Sequence, residues 1–186
     1  MKLESNSKLI VMAMFCMAFL FLGFSPKKIS PRLQEKLNNA VQSTFEVEGF
    51  ELQWIQVEEA INAKTKVELG HENLFKVEKS GKLIGYAYLG EAPSMKNIFD
   101  YVVLFNPDLS IKKSKVLIYR EDYGRQIGSQ RWLKQFIGKK SGDTIAYGED
   151  VDAISGATIS AKSMTVAVNA VLSSVEVLKK AKILQE

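Results

Sequence analysis

Between Asn73 and Tyr119 the chain alternates short β-prone runs with tight-turn signals, and this rhythm restricts the fold more than any other feature. Asn73 to Glu78 and Leu83 to Leu89 flank Lys79-Ser80-Gly81-Lys82, which reads as a hairpin. Ile98 to Phe105 (IFDYVVLF) reads as a buried strand, Asn106-Pro107-Asp108 as a turn, and Ile111 to Tyr119 as the next strand. Phe50 to Val57 alternates in part and predicts a leading strand. Short strands joined by tight turns argue for an antiparallel sheet.

Helical signals bracket the strands. Ser30-Pro31 is a Ser cap with Pro at the first helical position, and Leu33, Leu37, Val41 and Phe45 follow at four-residue spacing. Beyond Tyr119, Glu121 to Gly128 reads as a loop, and Ser129 to Ile137 as a short helix burying Trp132, Leu133 and Phe136. Gly138 to Asp150 reads as a polar loop. Ser155 to Leu184 predicts a long last helix that buries Met164, Val168, Val171, Leu172, Val175 and Leu178. The expected class is α+β: an antiparallel sheet packed with an N-terminal helix and a long C-terminal helix, preceded by a hydrophobic export or anchor segment.

That segment is Leu9–Phe24, which carries no charge and follows Lys2, Glu4 and Lys8. It has the form of an export signal and is slightly shorter than the roughly 20 residues a spanning helix wants. Gly23-Phe24-Ser25 offers small residues to a signal peptidase, while Pro26 just after the cut disfavours cleavage, so an uncleaved anchor is favoured over a cleaved peptide. Cys16, inside the run, reads as apolar filler. The expected organisation is residues 1–25 as signal peptide or anchor, 26–72 as N-terminal helix and leading strand, and 73–186 as the principal domain. The domain is expected outside the cytoplasmic membrane, on the periplasmic or extracellular side, membrane-bound if the segment stays.

Composition narrows the chemistry. The 186 residues are 46% hydrophobic and 25% charged, which excludes a mostly disordered, collagen-like or polytopic membrane chain. A net charge of +4, with both signs mixed, gives no argument for nucleic acid. One cysteine excludes a disulfide framework, a Cys-rich zinc site and a CxxCH haem site, and one histidine, His71, excludes a His-pair metal site. His71 itself reads as an exposed turn residue, and Glu58-Glu59 has no companions suggesting acid–base work. Redox or catalytic chemistry here needs other groups or a borrowed cofactor.

The segment Asp152-Ala153-Ile154-Ser155-Gly156-Ala157-Thr158-Ile159-Ser160 is the chemical candidate. Ser155 can cap the long helix. Gly156 and Ala157 let another molecule approach the backbone. Thr158 projects a hydroxyl from the first turn, where free N–H groups and the helix dipole favour a phosphate, and Lys162 adds a positive charge one turn later. The same residues also suit a plain helix start with small side chains for close packing.

Asp-x-x-Ser-Gly-Ala-Thr resembles the flavinylation motif of the FMN-binding domain family, to which flavin-bearing subunits of membrane electron-transport complexes belong. In that family the last Thr of the motif is joined to the phosphate of FMN by a flavin transferase acting outside the cytoplasm. The matching residue is Thr158, within Asp152, Ser155, Gly156 and Ala157. Family members also carry Glu-Thr-Pro-Gly-Leu-Gly, then a Trp and a Phe. Here Glu121 and Gly124 match, Asp122, Tyr123 and Arg125 depart, and Trp132 and Phe136 follow. The resemblance runs from about Asn73 to Lys179. It implies FMN held covalently on Thr158, a flavin transferase and membrane electron-transfer proteins as partners, and a redox carrier rather than an enzyme with its own substrate. The rival readings are a flavin-dependent reductase of a small acceptor and a non-redox binding module.

Several side chains have two readings. Trp132 and Phe136 are expected to pack in the core rather than on the flavin ring. Tyr123, in the glycine loop, is the better ring neighbour. Glu121 either ties its loop to a backbone N–H or approaches the flavin. Lys112, Lys113 and Lys115 read as a solvated sheet edge, with docking of an acidic redox partner as the alternative.

Overall fold

The computed structural model describes residues 29–70 and 72–184. The apolar run Leu9–Phe24, its flanking charges and His71 lie outside the described residues. Helix α1 (Pro31–Phe45) begins as its sequence suggests, with the Ser30 hydroxyl accepting from the Leu33 N–H and Pro31 in the first turn. Strands β1 (Glu51–Trp54), β2 (Leu74–Lys79), β3 (Lys82–Pro93), β4 (Ile98–Phe105) and β5 (Ile111–Ile118) follow, with a short helix α2 (Glu59–Asn62) between β1 and β2. A 3-10 turn (Arg125–Gly128) leads to helix α3 (Gln130–Leu133) and a second 3-10 turn (Lys134–Phe136), and helix α4 (Thr158–Lys180) is the last.

The five strands form one antiparallel meander in the order β1-β2-β3-β4-β5. Ser80 and Gly81 both have positive φ, 51° and 73°, the geometry that lets a two-residue turn match the twist of its strands. Strand β4 shows why IFDYVVLF is apolar but for Asp100: each face of the sheet is covered. Phe99, Tyr101, Val103 and Phe105 point into a core shared with Met164, Val168, Val171, Leu172, Val175 and Leu178 of α4. Val102 and Leu104 point to the other face, against Leu37 and Val41 of α1. The architecture is therefore helix, sheet, helix, with β1 of the leading segment bonded directly to β2.

Three expectations change. The leading strand is Glu51–Trp54, shorter than Phe50 to Val57. The Ser129 to Ile137 helix is a single α-turn followed by a 3-10 turn. The last helix runs Thr158–Lys180 rather than Ser155 to Leu184. Helix α4 is long and apolar enough to cross a membrane by length and composition. Its apolar stripe is nevertheless spent on the core, where ten of its residues are buried. Two loops are tied to α4: Ser174 accepts from the Lys66 and Val67 N–H groups, and Asn169 exchanges two hydrogen bonds with the Ile145 backbone.

Candidate functional site

The two sequence blocks that stood 31 positions apart, at Gly124 and Ser155, meet in space. A Cβ placed on Gly124 would lie 2.9 Å from the Gly156 carbonyl oxygen, 2.9 Å from the Tyr119 hydroxyl and 3.2 Å from the Ala157 Cβ. Gly124 also has φ +77°, so the position suits glycine on both grounds. Ala157, buried, supplies that contact from the Thr motif. The Tyr119 hydroxyl and Ser160 Oγ lie 3.0 Å apart, which fastens the end of β5 to the first turn of α4.

Ser155 does not cap α4. Gly156 takes φ +76° and turns the chain, so the capping position passes to Ala157, which has no side-chain acceptor to offer. Thr158 is the first helical residue, exposed, with its hydroxyl donating a 3.3 Å bond to the Ile154 carbonyl. No atom lies within 4 Å of a Cβ built on Gly156, so the space beside the turn is open. A 23-residue helix that starts without a side-chain cap leaves its first N–H groups and its dipole to an anion. These observations fit the phosphate of FMN at Thr158.

The loop that carries the motif is held by its backbone. The Trp132 indole N–H donates to the Asp152 carbonyl at 2.7 Å, and the Asp152 N–H donates to Gln135 Oε1 at 3.0 Å. Trp132 is buried and meets Phe136 edge-on, 5.2 Å between ring centroids, so both are core residues as expected. Between this helix and the motif lies a groove of about 280 Å³ walled by Gln126, Ser129, Arg131, Asp152 and Ser155. Arg131 is the cation of that wall. Sequence reasoning passed it over because it sits outside both motif blocks, and only the folding of α3 onto Asp152 brings it there. Lys162, proposed for the phosphate, instead places its ammonium 5.7 Å from the centre of the Tyr147 ring.

Glu121 acts as a loop tie. Its Oε1 accepts from Ser94 Oγ at 2.6 Å and from the Lys96 and Asn97 N–H groups at 2.7 and 2.8 Å. These donors, the Ser94 hydroxyl foremost, hold its carboxyl down to about 2. The glycine loop is thus bound to the β3–β4 turn at one end and to Gly156 at the other. Tyr123, between these anchors, is 85% exposed and is the one aromatic of the loop open to a ligand.

Residues 95–173 match the FMN-binding domain family. No curated protein matches the chain. Among solved structures the chain is similar to the crystal structure of Shewanella oneidensis NqrC, at 22% identity and a TM-score of 0.45, over 61% of this chain and 60% of that one.

Proposed function

We propose that this chain, which carries an FMN-binding domain across residues 95–173, is an extracytoplasmic electron-transfer protein with FMN joined through its phosphate to Thr158. The observation that carries the reading is the exposed Thr158 hydroxyl at the uncapped start of α4, against which the Gly124 loop closes. FMN, when bound, supplies one- and two-electron redox chemistry. The protein supplies position and electrostatics. Thr158 Oγ would hold the phosphorus as an ester, replacing the leaving oxygen of the flavin nucleotide that the transferase supplies, and that oxygen would take the hydroxyl proton away. Gly156 leaves room for the phosphate and for the transferase. Asp152 and Ser155 shape the loop, which Trp132 and Gln135 hold in place. Arg131 adds positive charge beside it, and Tyr123 offers a free ring face.

A cofactor fixed by a covalent bond cannot diffuse away from an exported protein, which suits the export reading of Leu9–Phe24. A flavin transferase for maturation and membrane electron-transfer proteins as redox partners belong to the same proposal. Ser160 is the nearest competing hydroxyl, but it is 3% exposed and faces Tyr119. The test is to coexpress the full chain with a flavin transferase in the exported compartment, denature it, and read in-gel flavin fluorescence and mass. Wild type should gain FMN less one water, and Thr158→Val should gain nothing. An unlabelled wild type or a labelled Thr158→Val overturns the assignment.

A further inference from the structure

A second groove, of about 540 Å³, lies between the end of α1, the start of β5 and α3. Its walls carry Lys112, Lys113, Arg131 and Lys134, with Thr44 and the half-exposed Ile137 between them. Among the described residues, none of the four cations pairs with a carboxylate. Lys112 instead lies 5.6 Å from the centre of the Phe45 ring.

Guarding a sheet edge accounts for Lys112 and Lys113 on β5 but not for Arg131 and Lys134, which lie off the strand. The outer side of β5 is already partly covered: the Ile111 N–H donates to the Lys139 carbonyl and the Gly138 N–H to the Ile111 carbonyl, each at 2.8 Å. Gathering four like charges in one concavity costs the folded state self-repulsion, and the same field concentrates anions there. Ile137 offers an apolar contact that a free small anion would not use. Arg131 lines both this groove and the one beside Asp152 and Ser155, so the two are neighbours.

We infer that this cationic groove docks an acidic face of a partner protein beside the Thr158 site. The docking step stands independently of the cofactor, whereas the redox character of the partner rests on the flavin reading. A protein face is favoured over a lipid surface because the cations share the groove with uncharged Thr44, Gln130 and Ile137, a mixed polar and apolar wall of the kind that protein partners pair with.

The full chain in nanodiscs of zwitterionic lipid, titrated with a fluorescent oligo-glutamate peptide, tests the inference. Wild type should bind the peptide and lose affinity as sodium chloride rises. The triple change Lys113→Glu, Arg131→Glu, Lys134→Glu should weaken binding at least about ten-fold, and the Gln versions, which keep the fold safest, by an intermediate amount. Reversing exposed Lys64, Lys79 and Lys82 together should leave it within about two-fold, since screening confines the effect to the groove. An equal loss in that control overturns the groove assignment. A ten-fold loss on adding phosphatidylglycerol to the discs, seen in wild type and absent from the triple variant, assigns the groove to lipid and overturns it too. An unlabelled wild type that still binds the peptide fails the flavin reading and leaves the docking surface standing.

Discussion

Gly124 stands so close to Gly156 that a single added methyl group would meet the Gly156 carbonyl oxygen at 2.9 Å. The obstacle is backbone, so it cannot swing aside, and φ +77° adds strain for any L side chain. Gly124→Ala should therefore destabilise the domain by about 2–3 kcal/mol and lower flavin labelling. At Gly128 the nearest atom to an added Cβ is 4.0 Å away, so Gly128→Ala should stay within about 0.5 kcal/mol of wild type. Urea midpoints with in-gel fluorescence distinguish the two, and equal losses would mean that the Gly124 contact is not what joins the loops.

Glu121 makes stability depend on pH in a defined window. Its carboxyl falls from 4.5 to about 2 in the folded state, so the unfolded chain binds the proton more readily between those values. The contribution is present in full above the unfolded value and is lost as pH falls toward 2. The urea midpoint of wild type should exceed that of Glu121→Gln at pH 7, and the gap should close as pH drops through 4 to 2. A gap that stays constant across that range would contradict the hydrogen-bond assignment.

Trp132→Phe keeps a ring against Phe136 but removes the donor to the Asp152 carbonyl. A loss of about 1–2 kcal/mol is expected, from the missing hydrogen bond and the smaller ring. The motif loop should also take up flavin more slowly, measured as the rate of labelling by purified transferase. An unchanged rate would show that the Gln135 bond suffices to hold the loop.

The Arg120–Asp100 pair is asymmetric. Asp100 is 2% exposed and Arg120 39%, with 2.6 Å between them. Arg120→Met leaves a buried carboxylate unpaired and should cost about 3 kcal/mol, whereas Asp100→Asn frees a half-exposed guanidinium and should cost nearer 1. Thermal denaturation orders the two, and the reverse order would place the buried charge on the wrong partner.

The strands were legible because each local signal agreed with its neighbours: Ser80-Gly81 supplies the positive φ its hairpin requires, and IFDYVVLF alternates between two covered faces. The start of α4 was misread for a physical reason. Ser155 has the chemistry of a cap, but Gly156 is used for its left-handed turn, which moves the helix start three residues on. Glu121 was readable as a loop tie, though its partners in the β3–β4 turn were not, being 24 to 27 positions away. Arg131 entering the site depends on how α3 settles on the Asp152–Ser155 loop, and Lys162 turning to Tyr147 on how the Gly138–Asp150 loop settles on α4. Pattern within one segment carries no signal for either.

In the meander each strand bonds to the one made before it, so the sheet can grow in the order of synthesis. The face formed by Phe99, Tyr101, Val103 and Phe105 nevertheless stays bare until α4 arrives. A chain cut before Thr158 would lack ten buried residues of that helix and present an oily sheet to its surroundings. The Thr158 hydroxyl heads α4, so a docked α4 marks the difference between a domain with a closed core and one whose sheet is still bare. On the proposed reading, a transferase that recognises Thr158 in its folded setting would load only chains whose α4 has docked.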